Sequence, residues 1–150
     1  MLKKNEINLL SKTLPFWNNL DQDEKELLIS NAFIEDVDQG QLIHQGNNDC
    51  IGILVVIKGC LRTYIVSDEG KEVTLYRLNA NDVCVLSAAC VLECIDFDVL
   101  VEAQTKCQII QISPAIFLQL FSQNIHVELF SYKLATERFS DVMWAMQQIL

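Results

Sequence analysis

Seven short apolar runs, at 33–37, 42–44, 51–57, 61–66, 73–78, 97–103 and 107–112, follow one another at close spacing. Between them stand Asp38-Gln39-Gly40, Gln45-Gly46-Asn47-Asn48, Lys58-Gly59 and Ser67-Asp68-Glu69-Gly70. Each glycine falls where the chain must reverse and where a positive φ is tolerated. Short strands separated by turn signals predict an antiparallel sandwich or barrel over residues 33–112. The segments 61–66 and 72–78, joined by 67–70, form the clearest hairpin.

The flanks read as helices. Ile7, Leu9 and Leu10 precede Thr13-Leu14-Pro15-Phe16, where proline ends the first helix. Asp21 with Glu24 three residues on predicts a capping box for a second helix, with Leu27, Leu28 and Ala32 as its buried face. After residue 112, Ser113 is the expected N-cap and Pro114 the first helical residue of a short helix to about Phe121. A long helix is expected from Ile125 onward. Along it Ile125, Leu129, Tyr132, Thr136, Phe139, Met143, Met146 and Leu150 repeat at alternating steps of four and three. That is an a/d seam, and it predicts a parallel two-helix contact between two copies of the chain. Phe130, Leu134 and Val142 lie off the seam and are expected to cover the domain's own core. A helix packed only on its own sheet is the plainer alternative.

Hydrophobic residues at 51% against 21% charged supply a real core, which excludes a disordered chain. The 11 Lys and Arg against 20 Asp and Glu give a net charge of −9, which opposes binding to DNA or an anionic membrane by this chain itself. The longest apolar stretch, 83–92, is far shorter than the roughly 20 residues a membrane-spanning helix needs. No signal-peptide pattern opens the chain, so a cytoplasmic protein is expected. The uncapped end at Gln147-Gln148-Ile149-Leu150 suggests the front part of a longer protein. The six cysteines, Cys50, Cys60, Cys84, Cys90, Cys94 and Cys107, follow no secreted-domain spacing and are expected to be free thiols.

Pro15-Phe16 with Leu20, Gly40-Gln41-Leu42-Ile43 with Gln45-Gly46, Val56-Ile57-Lys58-Gly59, and 68–75 together resemble the Crp/Fnr family of bacterial transcription regulators. Leu78-Asn79 then precedes Asn81-Asp82, where that family usually has Gly-Asp. Asparagine is the next-best residue in left-handed geometry. The resemblance implies a double-stranded β-helix (jelly-roll) sensor domain over residues 1–124 with N-terminal helices, and a long C-terminal dimerisation helix over 125–150. It implies a homodimer through that helix, and DNA contact only through a helix-turn-helix domain absent from this chain. It also implies an effector-sensing and dimerisation role rather than an enzyme.

In cyclic-AMP-binding members a Gly-Glu-Leu helix start and an Arg-Ser pair hold the ligand. The resemblance places the first at Val85-Leu86-Ser87 and the second at Phe97-Asp98. Asp98 repels a phosphate, and Phe97 offers no donor. Arg77 is the one cation between Lys71 and Lys106. A buried phosphate needs its charge paired, so cyclic AMP is not the expected effector. The implied effector pocket comprises Cys84, Leu86, Ser87, Ala88, Cys90, Phe97 and Asp98, and its small ligand is unknown. The cysteines there are read as small buried hydrophobes, and no cofactor is expected. His44 and His126 are read as solvent-facing or capping. Arg62, Tyr64, Tyr76 and Arg77 are read as surface or half-buried hairpin positions. Two alternatives remain: a β-roll interaction scaffold with no small effector, and a thiol- or metal-based redox sensor. A cupin-type metal enzyme is disfavoured by two histidines 82 residues apart.

Overall fold

A computed structural model describes residues 2–45, 51–84 and 99–148. Helix α1 (Lys4–Thr13) ends before Pro15, and a short 3-10 turn (Trp17–Asn19) leads to α2 (Gln22–Ser30). The Asp21 carboxylate accepts from the Glu24 backbone N–H, and the Glu24 carboxylate accepts from Asp21, the reciprocal cap expected from the sequence. The strands are β1 (Ala32–Val37), β2 (Leu42–Gln45), β3 (Ile53–Lys58), β4 (Leu61–Val66), β5 (Glu72–Leu78), β6 (Val83–Cys84), β7 (Leu100–Ala103) and β8 (Cys107–Ile112). Helices α3 (Pro114–Gln123) and α4 (Ile125–Gln147) close the chain. Ala32 is buried but opens β1, because the chain leaves α2 at Ser30. Ser113 holds the N-cap position without a side-chain capping bond, while Pro114 is the first helical residue as expected.

The strands form two four-stranded antiparallel sheets, β1-β8-β3-β6 and β2-β7-β4-β5. This is the jelly roll. β3 explains why Ile53-Leu54-Val55-Val56 shows no alternation, since both of its faces are buried. Leu54 and Val56 point into the roll, toward Val101, Leu78 and Ile109. Ile53 and Val55 point outward, into a second core built from Leu10, Phe16, Leu28, Phe117 and Val127 of the helical elements. β8 does the same, with Ile109 inside and Ile110 outside.

The β4–β5 register slips between Thr63 and Tyr64, so Thr63 faces Tyr76 while Tyr64 faces Thr74. Leu75 is the extra residue of a bulge. That one insertion lets Leu75 and Tyr76, neighbours in sequence, both be buried. Tyr64 and Tyr76 are therefore buried, not half-exposed as expected. On the outer face Arg62 lies 4.0 Å over the Tyr64 ring, pairs with Glu72, and reaches Glu102 at 2.9 Å.

Gly40, Gly59 and Gly70 have positive φ at the turns. So does Asn81, at φ 75°, the position where the sequence replaces glycine with asparagine. Gly52 is a further case, at φ 83°, and any Cβ there would sit 1.9 Å from the Ile112 carbonyl oxygen.

Candidate functional site

The inner sheet and α4 meet around Tyr76. α4 opens on Asn124, whose side-chain oxygen accepts from the His126 backbone N–H at 2.9 Å. The same side chain donates to Glu24 at 3.1 Å and to the Asn19 carbonyl at 3.1 Å. The root of α4 is thus tied to the capping box of α2. From there α4 runs across the roll with two different faces. Phe130 and Leu134 pack on the outer core, and Val142 and Ala145 on the roll core. Phe130 meets Phe16 edge-on, with ring centroids 5.1 Å apart.

Arg138 belongs to this inward face. Its guanidinium lies 4.8 Å over the Tyr76 ring. Its Nε is buried and makes no hydrogen bond, and its one ion pair, to Asp141, is long at 3.4 Å. Behind Tyr76 stand the buried Thr63 of β4 and Cys84 of β6. Burial, then the nearby Cys84, hold the Tyr76 phenol well above its ordinary value, against the opposing pull of Arg138. The phenol is therefore neutral throughout the physiological range.

Arg138 is a cation from outside the stretch 71–106. Arg77 is exposed and donates from Nε to Gln104 at 2.7 Å, so it does not serve the interior. The cation over Tyr76 comes from α4. The sequence carried a signal for it: 130, 134 and 142 were assigned to the core face, and 138 fills the missing step of that four-residue ladder.

Of the expected pocket, Cys84 is buried in the roll core. Leu86, Ser87, Ala88, Cys90, Phe97 and Asp98 lie outside the described residues. Cys107 is buried and Cys60 half-buried; neither they nor Cys84 are in a disulfide. Cys107 donates to the Cys60 and Thr105 carbonyls at 3.3 and 3.2 Å. His44 is fully buried on β2, opposite Val101, which overturns its reading as a solvent-facing or capping residue. The bulge between Leu42 and His44 shifts that strand's alternation and turns the imidazole inward. His126 is exposed. No group of three or more His, Cys, Asp or Glu among the described residues is placed to hold a metal. No helix among them is long and apolar enough to cross a membrane.

The opposite face of α4 is bare. Ile125 is 67% exposed, Leu129 49%, Tyr132 46%, Phe139 59% and Met143 50%. Thr136 is exposed and Met146 half-buried; Leu150 lies outside the described residues. Beside this face, a cleft of about 470 Å³ separates α4 from α1, the 3-10 turn and the Asn81–Val83 corner.

These features define a jelly roll with an attached C-terminal helix. The profile of the family described as "Cyclic nucleotide-binding domain" matches residues 34–124. A crystal structure of a protein assigned as a Crp/Fnr-family transcriptional regulator, from Eubacterium rectale, is 42% identical, with a TM-score of 0.87. The match covers 93% of this chain and 64% of the regulator, so the chain spans under two thirds of that protein. The sensor domain of the transcriptional regulator DNR from Pseudomonas aeruginosa matches at TM-score 0.73 and 19% identity, covering 89% of each chain. The regulatory subunit of a cAMP-independent protein kinase A from Trypanosoma brucei matches at TM-score 0.70 and 16% identity, covering 98% of this chain and 51% of that one. No curated protein sequence matches the chain. The chain belongs to the cyclic nucleotide-binding domain family, and it resembles a Crp/Fnr-family regulator over 93% of its own length.

Proposed function

We propose that this chain is the effector-sensing and dimerisation part of a Crp/Fnr-type transcription regulator acting in the cytoplasm. Residues 1–124 form the sensor and 125–150 the dimerisation helix. DNA is read by a part of the protein outside this chain. The observation that carries the reading is the division of α4: its Phe130–Leu134–Val142 side is packed on the domain, while its seam of large apolar side chains stands in solvent. A lone domain gains nothing from exposing such a stripe, and a second copy of the helix buries it. An effector that favours one arrangement of the helix pair shifts the pair, and only a difference in affinity between arrangements drives that shift.

The effector differs from cyclic AMP in this reading. Phe97-Asp98 stands where the resemblance places the phosphate-binding pair. One fold neighbour is itself named as part of a cAMP-independent kinase, so the roll alone does not entail that ligand. Effector binding is assigned to Cys84, Leu86, Ser87, Ala88, Cys90, Phe97 and Asp98. Sedimentation velocity tests the pairing. The chain sediments as a dimer, and Phe139→Glu gives a folded monomer. A wild-type monomer at all concentrations, or a dimeric variant, refutes the seam. Calorimetry tests the effector, and stoichiometric tight uptake of cyclic AMP refutes that part alone.

A further inference from the structure

The cleft beside α4 is lined by cations and by apolar side chains together. The protein carries a net charge of −9, yet two cations line this recess: Lys133, and Arg138, whose ion pair among the described residues is the long one to Asp141. Lys133 forms no ion pair among the described residues. Arg138 has five donors, of which Nε is buried and unbonded and one reaches Asp141 at a long 3.4 Å. The buried Nε has no open surface for a ligand to reach; the terminal nitrogens, with one donor given to Asp141, are what Arg138 offers the cleft. Two acids also face the cleft. Asp82 is engaged, accepting from the Asn79 backbone N–H at 2.8 Å, and Glu137 is exposed. The apolar part of the lining comes from Phe16, Leu129, Phe130 and Leu134. Val83, at its edge, belongs to the core outside the roll, so this recess is separate from the roll interior.

We infer that this cleft is a second ligand site, for a small amphipathic monocarboxylate: an anionic head on Arg138 and Lys133, and an apolar body on Phe16, Leu129, Phe130 and Leu134. Filling it ties α1 and the Asn81–Val83 corner to the first four turns of α4. Arg138 also covers Tyr76, so the ligand acts on the same helix that packs over the sensor interior. The inference goes beyond the effector assignment above and does not need it.

Calorimetry on the 150-residue chain with octanoate, octanol and octylamine tests it. Octanoate binds saturably at one site per chain, and octanol and octylamine bind at least about tenfold more weakly, since a charge-assisted hydrogen bond is worth roughly 1.5–3 kcal/mol. Arg138→Gln weakens octanoate by about tenfold or more on the same scale, and leaves octanol unchanged. Lys133→Gln, at an exposed position that the fold does not need, weakens octanoate in the same direction. Urea midpoints establish that both variants are folded. Octylamine binding as tightly as octanoate overturns the inference, because Glu137 and Asp82 then set the sign of the cleft. Octanoate binding unchanged in Lys133→Gln and in folded Arg138→Gln overturns it too, as apolar association only.

Discussion

Gly52 and Gly70 share a backbone conformation, φ 83°, and differ in surroundings. A Cβ on Gly70 meets nothing within 4 Å; one on Gly52 lies 1.9 Å from the Ile112 oxygen and 2.9 Å from the Pro114 nitrogen. The left-handed penalty for alanine is about 1–2 kcal/mol. Loss of glycine's unfolded-state freedom returns about 0.4–1 kcal/mol. Gly70→Ala therefore costs roughly 0–1.6 kcal/mol, the range those two figures leave. Gly52→Ala carries the same balance plus a displacement of the oxygen by more than 1 Å, from 1.9 Å to at least 3.0 Å. That carbonyl cannot swing aside alone: Ile112 pairs with Ala32 on one side and Ile53 on the other, and Pro114 starts α3. Breaking two backbone hydrogen bonds in a buried sheet adds about 1–3 kcal/mol, at 0.5–1.5 each. Gly52→Ala then costs about 1–4.6 kcal/mol, a large share of the 5–15 kcal/mol a domain typically has. Equilibrium urea unfolding of both variants, with equal m-values, measures the difference. Equal losses in the two variants would show that the close approach is not what glycine serves at 52.

Three further outcomes are expected. Asn124→Ala removes the α4 cap and the amide that satisfies Glu24, and it lowers stability by about 2–3 kcal/mol in the same urea assay. Tyr76 ionises in the unfolded chain near pH 10 but only at higher pH when folded, so the folded state holds the extra proton and stability falls as pH rises above about 10. The slope reaches about 1.4 kcal/mol per pH unit from this group, and Tyr76→Phe abolishes that component of an alkaline unfolding series. Arg62→Met leaves Glu72 and Glu102 facing each other across β4, and the resulting loss, about 1 kcal/mol, shrinks in 1 M salt.

The roll was legible because its punctuation is local. Glycines at 40, 59 and 70 sit at turns whose geometry excludes most other residues, and 61–66 and 107–112 fall on the strands as read. The asparagine at 81 was legible for the same reason. What failed was what depends on register. A single bulge in β2 turned His44 inward, and another at Leu75 buried Tyr76 beside it. Neither bulge has a residue signature in its own strand. Gly52 was missed because its constraint is a carbonyl 60 residues away, visible only once β8 is laid against β3. Arg138 was missed for a different reason. It breaks the apolar pattern of the face it belongs to, and a search for ligand-binding charge confined to one stretch of sequence does not cross to a helix packed from outside.

That placement changes what carries the argument about the effector. A cation held over Tyr76 by α4 is positioned by the helix and not by the roll, so its strength as an anion partner depends on where the helix lies. The root of α4 is fixed through Asn124 and Glu24, while Arg138, Val142 and Ala145 make its contacts farther along. A ligand that draws Arg138 from Tyr76 therefore acts as a lever about the Asn124 end. Beyond Arg138, and so farthest from that end, stand the exposed Phe139 and Met143, the side chains assigned to the partner in the proposed dimer. If the proposed ligand and the proposed dimer both hold, binding and pairing are coupled through one side chain, and linkage requires the reverse as well: fixing the helix pair must alter ligand affinity by the same factor.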